Sequence, residues 1–338
     1  MVRFGVIGLG FMGRCHLATL AGHEQAEIVA VHDVEAERLR GPLGPGGGNL
    51  ETGGKAWDES AVRRCTAAGE IFDDPAIDAV VVATPTHLHA EISCAALSAG
   101  KHVFCEKPMA LTLADCDRML AAAERGGRVL TIGHCIRFWG EYAAAAEMVR
   151  SGRFGRLKWL SLSRRCCVPR FGAREWFADP AKSGGGLFDL HIHDVDYAVY
   201  LLGMPRAVRA WGEVGPAGEI NQVAAWYDYG PSGPSVQIEG GWRAGPAVPF
   251  VMSFEMDLGE ATVAYASDRE PAMRVYADGE VPAVSAVSGY VAEMDHFIGC
   301  VKAGSASEIV PPASSRQSVA LACAEAESVR RGQAVEVS

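Results

Sequence analysis

The sequence predicts an α/β chain: a doubly wound parallel sheet in the first third, then an α+β region built on a mostly antiparallel open sheet. Three observations carry that reading. Up to about residue 133, short apolar runs alternate with helical patterns, as βαβ units require. Beyond about residue 150, β-rich segments succeed one another, divided by Gly and Pro with little helix between them. The length, 338 residues, suits two domains better than one. The expected division is 1–133 and 134–338.

The elements follow in order. Residues 2–8 form a first strand, and residues 12–21 have helical spacing that stops at Gly22. Residues 28–33 are a second short apolar run. Residues 41–54 hold seven glycines and two prolines, too much conformational freedom for a packed element, and read as a surface loop or a mobile flap. The next strand is placed at 61–65. Residues 78–84 contain Ala79, Val80, Val81, Val82 and Ala83, apolar on both faces as a central parallel strand should be. A helix over 86–99 closes at Gly100, and 101–105 is a strand. Thr112 and Asp115 resemble a capping box for a helix ending at Gly126 and Gly127, and 129–132 is the last strand of this region. The second region offers strands at 157–165, 207–214, 222–229, 235–243, 250–258 and 261–266. Its helices are 142–151, a segment around 193–202, 290–303 and 315–331.

Composition narrows the function classes. Lys and Arg number 31 against 41 Asp and Glu, a net charge of −10, which argues against nucleic acid as the main partner. Hydrophobic residues make up 49% and charged residues 21%, the balance of a globular chain rather than a disordered one. No apolar run approaches the roughly 18 residues of a membrane span, and residues 1–10 lack the regions of a signal peptide. Ten cysteines without a C-x-x-C pair fit neither a disulfide framework nor a zinc ribbon. The expectation is a cytoplasmic protein with no membrane partner.

Chemistry enters at Gly8-Leu9-Gly10-Phe11-Met12-Gly13. This G-x-G-x-x-G follows a strand, opens a helix, and has Asp33 20 residues after Gly13 at the end of the next strand, the Rossmann fingerprint. Gly8 allows the tight turn, Gly10 lets backbone approach a pyrophosphate, and Gly13 permits close helix–strand packing. Gly8, Gly10, Phe11, Met12 and Gly13 are therefore cofactor-binding candidates. Asp33 suits the ribose hydroxyls of NAD and repels the 2′-phosphate of NADP; Arg38 and Arg40, close in sequence, soften that rule. Thr84, Pro85, His87, Glu106 and Lys107 lie at the carboxyl ends of strands, where such a sheet holds its ligand. His89 either caps its helix or approaches the nicotinamide.

With Ala83-Thr84-Pro85-Thr86-His87-Leu88-His89-Ala90-Glu91 and Gly100-Lys101-His102-Val103-Phe104-Cys105-Glu106-Lys107-Pro108, the chain resembles the Gfo/Idh/MocA oxidoreductases. The resemblance continues through Gly133-His134-Cys135-Ile136-Arg137-Phe138 and is sharpest from Gly184 to Asp196, where Asp189-Leu190-His191-Ile192-His193-Asp194 stands. It reaches Glu325-Ala326-Glu327-Ser328. The family implies a Rossmann domain followed by a sheet domain, with the active site between them, and a catalytic set of Lys107, Asp189 and His193. It also implies a cis bond at Lys107-Pro108 and a homodimer or homotetramer formed through the C-terminal sheet. The chain departs from the family's D-x-G-x-H-D form at His191, which reads as structural or as a pocket-liner.

Residue chemistry supports these roles on its own terms. Oxidising a secondary alcohol needs a general base, for which an imidazole such as His193 is suited. It needs a donor for the developing alkoxide, which Lys107 supplies, and Asp189 either shares the substrate hydroxyls or orients the imidazole. The expected activity is hydride transfer between NAD and a sugar, cyclitol or related polyhydroxy compound. The alternative is a regulatory protein of the same fold that binds dinucleotide or sugar without turnover. His191-x-His193 also begins some zinc sites, but no barrel alternation accompanies it and no metal is expected. Arg137, Arg164, Arg165 and Arg170 serve either an acidic sugar or ion pairs.

Overall fold

The structure is a computed structural model that describes residues 1–44, 58–168, 174–243, 245, 247–279 and 282–337. The chain divides into two compact units. The first contains strands β1 (Val2–Ile7), β2 (Ala26–His32), β3 (Arg63–Cys65), β4 (Ala79–Val82), β5 (His102–Glu106) and β6 (Leu130–Gly133). Its helices are α1 (Phe11–Ala21), α2 (Ala36–Arg40), α3 (Gly69–Phe72), α4 (His89–Ser98) and α5 (Leu113–Gly126). The six strands run parallel in the order β3-β2-β1-β4-β5-β6, the doubly wound arrangement whose order reverses between β1 and β4. β4, apolar on both faces, is wholly buried at the centre of that sheet. Thr112 accepts the Asp115 N–H at 3.1 Å to start α5, and Gly127 ends it at φ 58°.

The second unit carries α6 (Gly140–Ser151), β7 (Trp159–Cys167), the end of α7 (Arg174–Ala178), whose residues up to Trp176 group with the first unit, α8 (Pro180–Ser183), a π-helical turn at Leu187–His191 and α9 (Ile192–Leu202). There follow β8 (Ala207–Val214), β9 (Ile220–Asp228), β10 (Ser235–Arg243), β11 (Val251–Asp257), β12 (Ala261–Ala266) and β13 (Met273–Ala277). Helices α10 (Gly289–Ala303) and α11 (Pro312–Arg331) precede the short β14 (Val335–Glu336). The eight-stranded sheet has the order β13-β12-β11-β7-β10-β9-β8-β14. All pairs are antiparallel except β7 with β10, which runs parallel in the middle of the sheet.

The polypeptide changes unit after Cys135, and Gly289–Arg316 groups again with the first unit. The cause is apolar. Phe297 of α10 packs against Phe4 and Phe104, with ring centroids 6.2 and 5.6 Å apart, and Met294, Phe297 and Ile298 complete the core formed by β1, β4 and α1. The glycine-rich stretch enters the structure only through its first residues. Leu43 is buried and its N–H bonds Glu59 at 2.9 Å, while of the surface loop or flap expected over 41–54, residues 45–54 lie outside the described residues.

Candidate functional site

The glycines of the first turn occupy three different environments. Gly8 has φ +96°, and a Cβ there would lie 2.4 Å from the Ala83 carbonyl oxygen. At Gly13 a Cβ would lie 1.8 Å from the Gly8 oxygen, so helix α1 could not sit against its own turn with any side chain there. At Gly10 a Cβ would meet nothing within 4 Å. Gly8 and Gly13 are therefore explained by packing, and Gly10 is not: its bare backbone faces open space at the N-terminus of α1, which no side chain caps. Asp33 is buried beside it, accepting the Leu9 N–H at 2.7 Å and the Glu35 N–H at 2.8 Å. A carboxylate has about four acceptor directions, so ribose hydroxyls still find room. Arg38 is held by Glu35 at 2.9 Å and stands 3.4 Å from Asp33. Phe11 and Met12 are half-buried in the first turn of α1. Bare backbone, a helix N-terminus and an anchored acid fit a dinucleotide.

The strand ends come next. Thr84 follows β4, and its Oγ1 is buried with no partner; Pro85 is half-buried and His87 exposed. His89 does not cap its helix. It is buried, with Nδ1 2.9 Å from the Pro108 oxygen and Nε2 2.9 Å from the Thr84 oxygen. Burial holds its pKa below the ordinary imidazole value although both carbonyls favour protonation. A neutral ring has one N–H and donates to only one of the two carbonyls; the ring lies between the β4 end and the turn at Lys107–Pro108, whose peptide bond is cis.

Glu106 ends β5. Its Oε1 lies 2.6 Å from His16 Nε2, and its Oε2 accepts the Lys107 N–H at 3.2 Å. Burial opposes ionisation of Glu106, but the hydrogen bond and charge of His16, with Lys107 adjacent, hold its carboxyl below the usual glutamate range. Lys107 itself is half-buried. Sequence reasoning missed two members of this group. His16 is fully buried on α1 and edge-on to Phe104. Glu293 of α10 is buried with neither carboxyl oxygen partnered; burial, then the Glu106 charge, push its carboxyl well above the usual range. The only sequence signal was an acid within an otherwise apolar helix face.

Asp189 and His193 belong to the second unit. Three glycines lead into their turn: Gly184 and Gly185 at φ 75° and 71°, then Gly186, where a Cβ would lie 2.4 Å from the Asn221 carbonyl oxygen. The π-helical turn presses Leu187, Leu190 and His191 inward, and α9 continues with Ile192, Asp194, Val195 and Asp196 buried. Asp189 and His193, four residues apart, stay half-exposed among these buried neighbours.

The other polar residues here are engaged inside the fold. Arg164 pairs with Asp194 through two contacts of 3.1 Å, and Arg137 grips Asp196 at 2.8 and 2.6 Å, with Ser318 also on Asp196. All four of these charged groups are buried, so Arg137 and Arg164 are structural cations, not receptors for an acidic sugar. Arg165 is exposed near Glu239, and Arg170 lies outside the described residues. His191 is fully buried and turned to Glu325; of the two expectations, the structural one holds. Trp242 is a core residue against Phe177. Among the described residues, no group of three or more His, Cys, Asp and Glu could hold a metal ion, and no helix is long and apolar enough to cross a membrane.

Comparison with known proteins places this geometry. The model of the Gfo/Idh/MocA oxidoreductase family, NAD-binding Rossmann fold, matches residues 2–134, and that of the family's C-terminal domain matches 142–258. The myo-inositol 2-dehydrogenase of Thermotoga maritima is 33% identical over 228 residues, covering 65% of this chain and 63% of that protein. The 1,5-anhydro-D-fructose reductase of Ensifer adhaerens is 30% identical over 203 residues, covering 60% of this chain and 57% of that protein. The chain thus spans less than two thirds of the length of these curated relatives. The crystal structure of an aldose–aldose oxidoreductase from Caulobacter crescentus, complexed with glycerol, superposes with a TM-score of 0.82 at 26% identity over 99% of both chains. With both regions matched in order and the glycine turn and E-K-P strand end folded as described, the chain belongs to the Gfo/Idh/MocA oxidoreductase family.

Proposed function

We propose that the protein is an NAD-dependent dehydrogenase acting on a secondary hydroxyl, or the corresponding ketone, of a sugar, cyclitol or related polyhydroxy compound. One observation carries the reading: Gly10 leaves bare backbone open to a dinucleotide, while a turn buried almost throughout leaves its acid and imidazole, Asp189 and His193, half-exposed. Gly8, Gly10, Phe11, Met12, Gly13 and Asp33 would hold the adenosine and pyrophosphate side, and Thr84, Pro85, His87, Glu106 and Lys107 the strand-end side. When bound, NAD supplies the hydride acceptor. Lys107 would bond the reacting oxygen and stabilise alkoxide charge. His193 would take the hydroxyl proton, and Asp189 would bind adjacent hydroxyls or orient the ring. With Arg38 already engaged by Glu35 and Asp33, NAD is preferred over NADP.

The relatives named for inositol, anhydrofructose and aldoses support the substrate class. The test is NADH formation from NAD over a panel of inositols, aldoses and sugar acids, with Lys107→Ala in parallel. A substrate-dependent signal abolished in the variant is expected. Silence across the panel with NADH still bound would turn the reading toward a non-catalytic binding protein.

Assembly and location belong to the same proposal. Trp211, Trp226 and Tyr276 stand exposed on one face of the second sheet, with Trp159 5.6 Å from Trp226; Ser161, Gln237, Glu239 and Glu255 share that face, a mixed aromatic and polar surface for a dimer or tetramer. All ten cysteines are free thiols, in keeping with the reducing cytoplasm.

A further inference from the structure

The turn that carries Asp189 and His193 is fastened to its sheet by one side chain that stands between them. His191 points away from both, into the second unit's core. Its Nε2 lies 3.2 Å from Glu325 on α11, a contact spanning 134 residues of sequence. Glu325 in turn accepts the Tyr227 hydroxyl of β9 at 2.7 Å. An ionised Glu325 only accepts, and against it the ring carries a proton on Nε2 and donates. All three groups are buried.

A second, independent observation lies beneath the ring. β10 has two consecutive glycines in its interior, Gly240 and Gly241, a weakness in a strand unless another group must come close. At Gly240 a Cβ would lie 2.7 Å from His191 Nδ1; at Gly241, with φ +120°, it would lie 2.0 Å from the Asn221 oxygen. The sheet is therefore hollowed where the imidazole seats. The turn itself is a π-helical interruption at the head of α9, an arrangement that costs regular helix geometry and is found mostly at functional sites.

We propose that His191, locked by Glu325 and Tyr227 and seated over Gly240, is a positioning residue that fixes the orientation of Asp189 and His193. It touches neither substrate nor cofactor; it sets how the π-helical turn presents the two side chains that do. This inference rests on reading Asp189 and His193 as a working pair.

The decisive measurement needs no substrate. The His193 ring signal, assigned by its loss in His193→Gln, is titrated by NMR in the full chain and in His191→Ala, His191→Gln and Gly240→Ala. Expected is a displaced His193 titration midpoint, by roughly half a pH unit or more, in His191→Ala and Gly240→Ala. His191→Gln, which still donates to Glu325, restores it. Should His191→Ala prove unstable, Tyr227→Phe replaces it, leaving the ring but loosening its acceptor. A midpoint unchanged in every folded variant overturns the positioning role whether or not a substrate is known. A displaced midpoint in a protein that oxidises no alcohol would instead leave the positioning role standing and remove the dehydrogenase reading. Once a substrate is found, kcat should fall about tenfold or more in Gly240→Ala with a smaller change in KM.

Discussion

The turn at Gly8–Gly13 and the turn at Gly184–His193 are built from the same materials for opposite reasons. Each gathers three glycines around the head of a helix, Gly13 lying already inside α1. Each sends a histidine inward to a glutamate far along the chain, His16 to Glu106 across 90 residues and His191 to Glu325 across 134. In the first turn the middle glycine faces open space, and the backbone itself is the binding surface. In the second, Gly186 is pressed onto Asn221, and the working groups are side chains held out from a seated backbone. Glycine content alone therefore does not reveal a ligand cradle. What distinguishes one is a glycine whose missing Cβ nothing in the protein requires to be missing.

The largest effect should come from Gly13→Ala. Its Cβ would overlap the Gly8 oxygen, a backbone atom that cannot move without undoing the turn, so a loss of about 4 kcal/mol or more in urea unfolding, or no folded protein, is expected. A fully stable Gly13→Ala would break the comparison at its first term.

Next is a paired measurement. Gly186→Ala should cost about 1–3 kcal/mol and leave NADH affinity unchanged. Gly10→Ala should stay within about 1 kcal/mol of the parent yet weaken NADH roughly tenfold or more by fluorescence titration. Exchanged results would mean that the open glycine had been misidentified.

The most gradual effect, spread over pH, concerns the acid that the first pair has beside it and the second lacks. Glu293 has a folded pKa raised above its unfolded value, so from about pH 4.3 upward the unfolded chain loses this proton while the folded chain keeps it, and stability falls as pH rises. Glu293→Gln removes that term. Relative to the parent, the variant should gain up to about 1.4 kcal/mol per pH unit within this window, and nothing below it. Parallel unfolding curves at all pH values would show Glu293 ionised.

Local pattern made much of the fold legible because each signal was confined to a short stretch. The buried run of β4, the Thr112 cap and the Gly127 stop are of this kind. β13 escaped notice because it is short: its apolar side is only Met273, Val275 and Ala277, all half-buried, too brief an alternation to stand out. The parallel β7–β10 pair is a matter of partner choice, which no single strand encodes. The glycine turn and Asp33 could be found from motif spacing, and Lys107 of the E-K-P strand end, Asp189 and His193 from the family resemblance. The inward groups could not. His16 and Glu325 act through partners scores of residues away, Glu293 feels Glu106 only as a charge, and a buried polar side chain in a helix looks like any other until its surroundings are placed. His89 shows the reverse error, a histidine near a site that serves the scaffold.

The late return of Gly289–Arg316 to the first unit has a consequence for how the chain is made. At roughly 5–20 residues per second, synthesis runs on for roughly 10–40 seconds after Cys135 before α10 can reach the sheet. Through that interval Phe4 and Phe104 lack the aromatic ring they pack against in the finished protein. The nucleotide-binding half is first to be synthesised and among the last to be sealed, so a nascent chain carries exposed aromatic surface while its second half folds. Early capture of NAD by that half would come before its own core is complete.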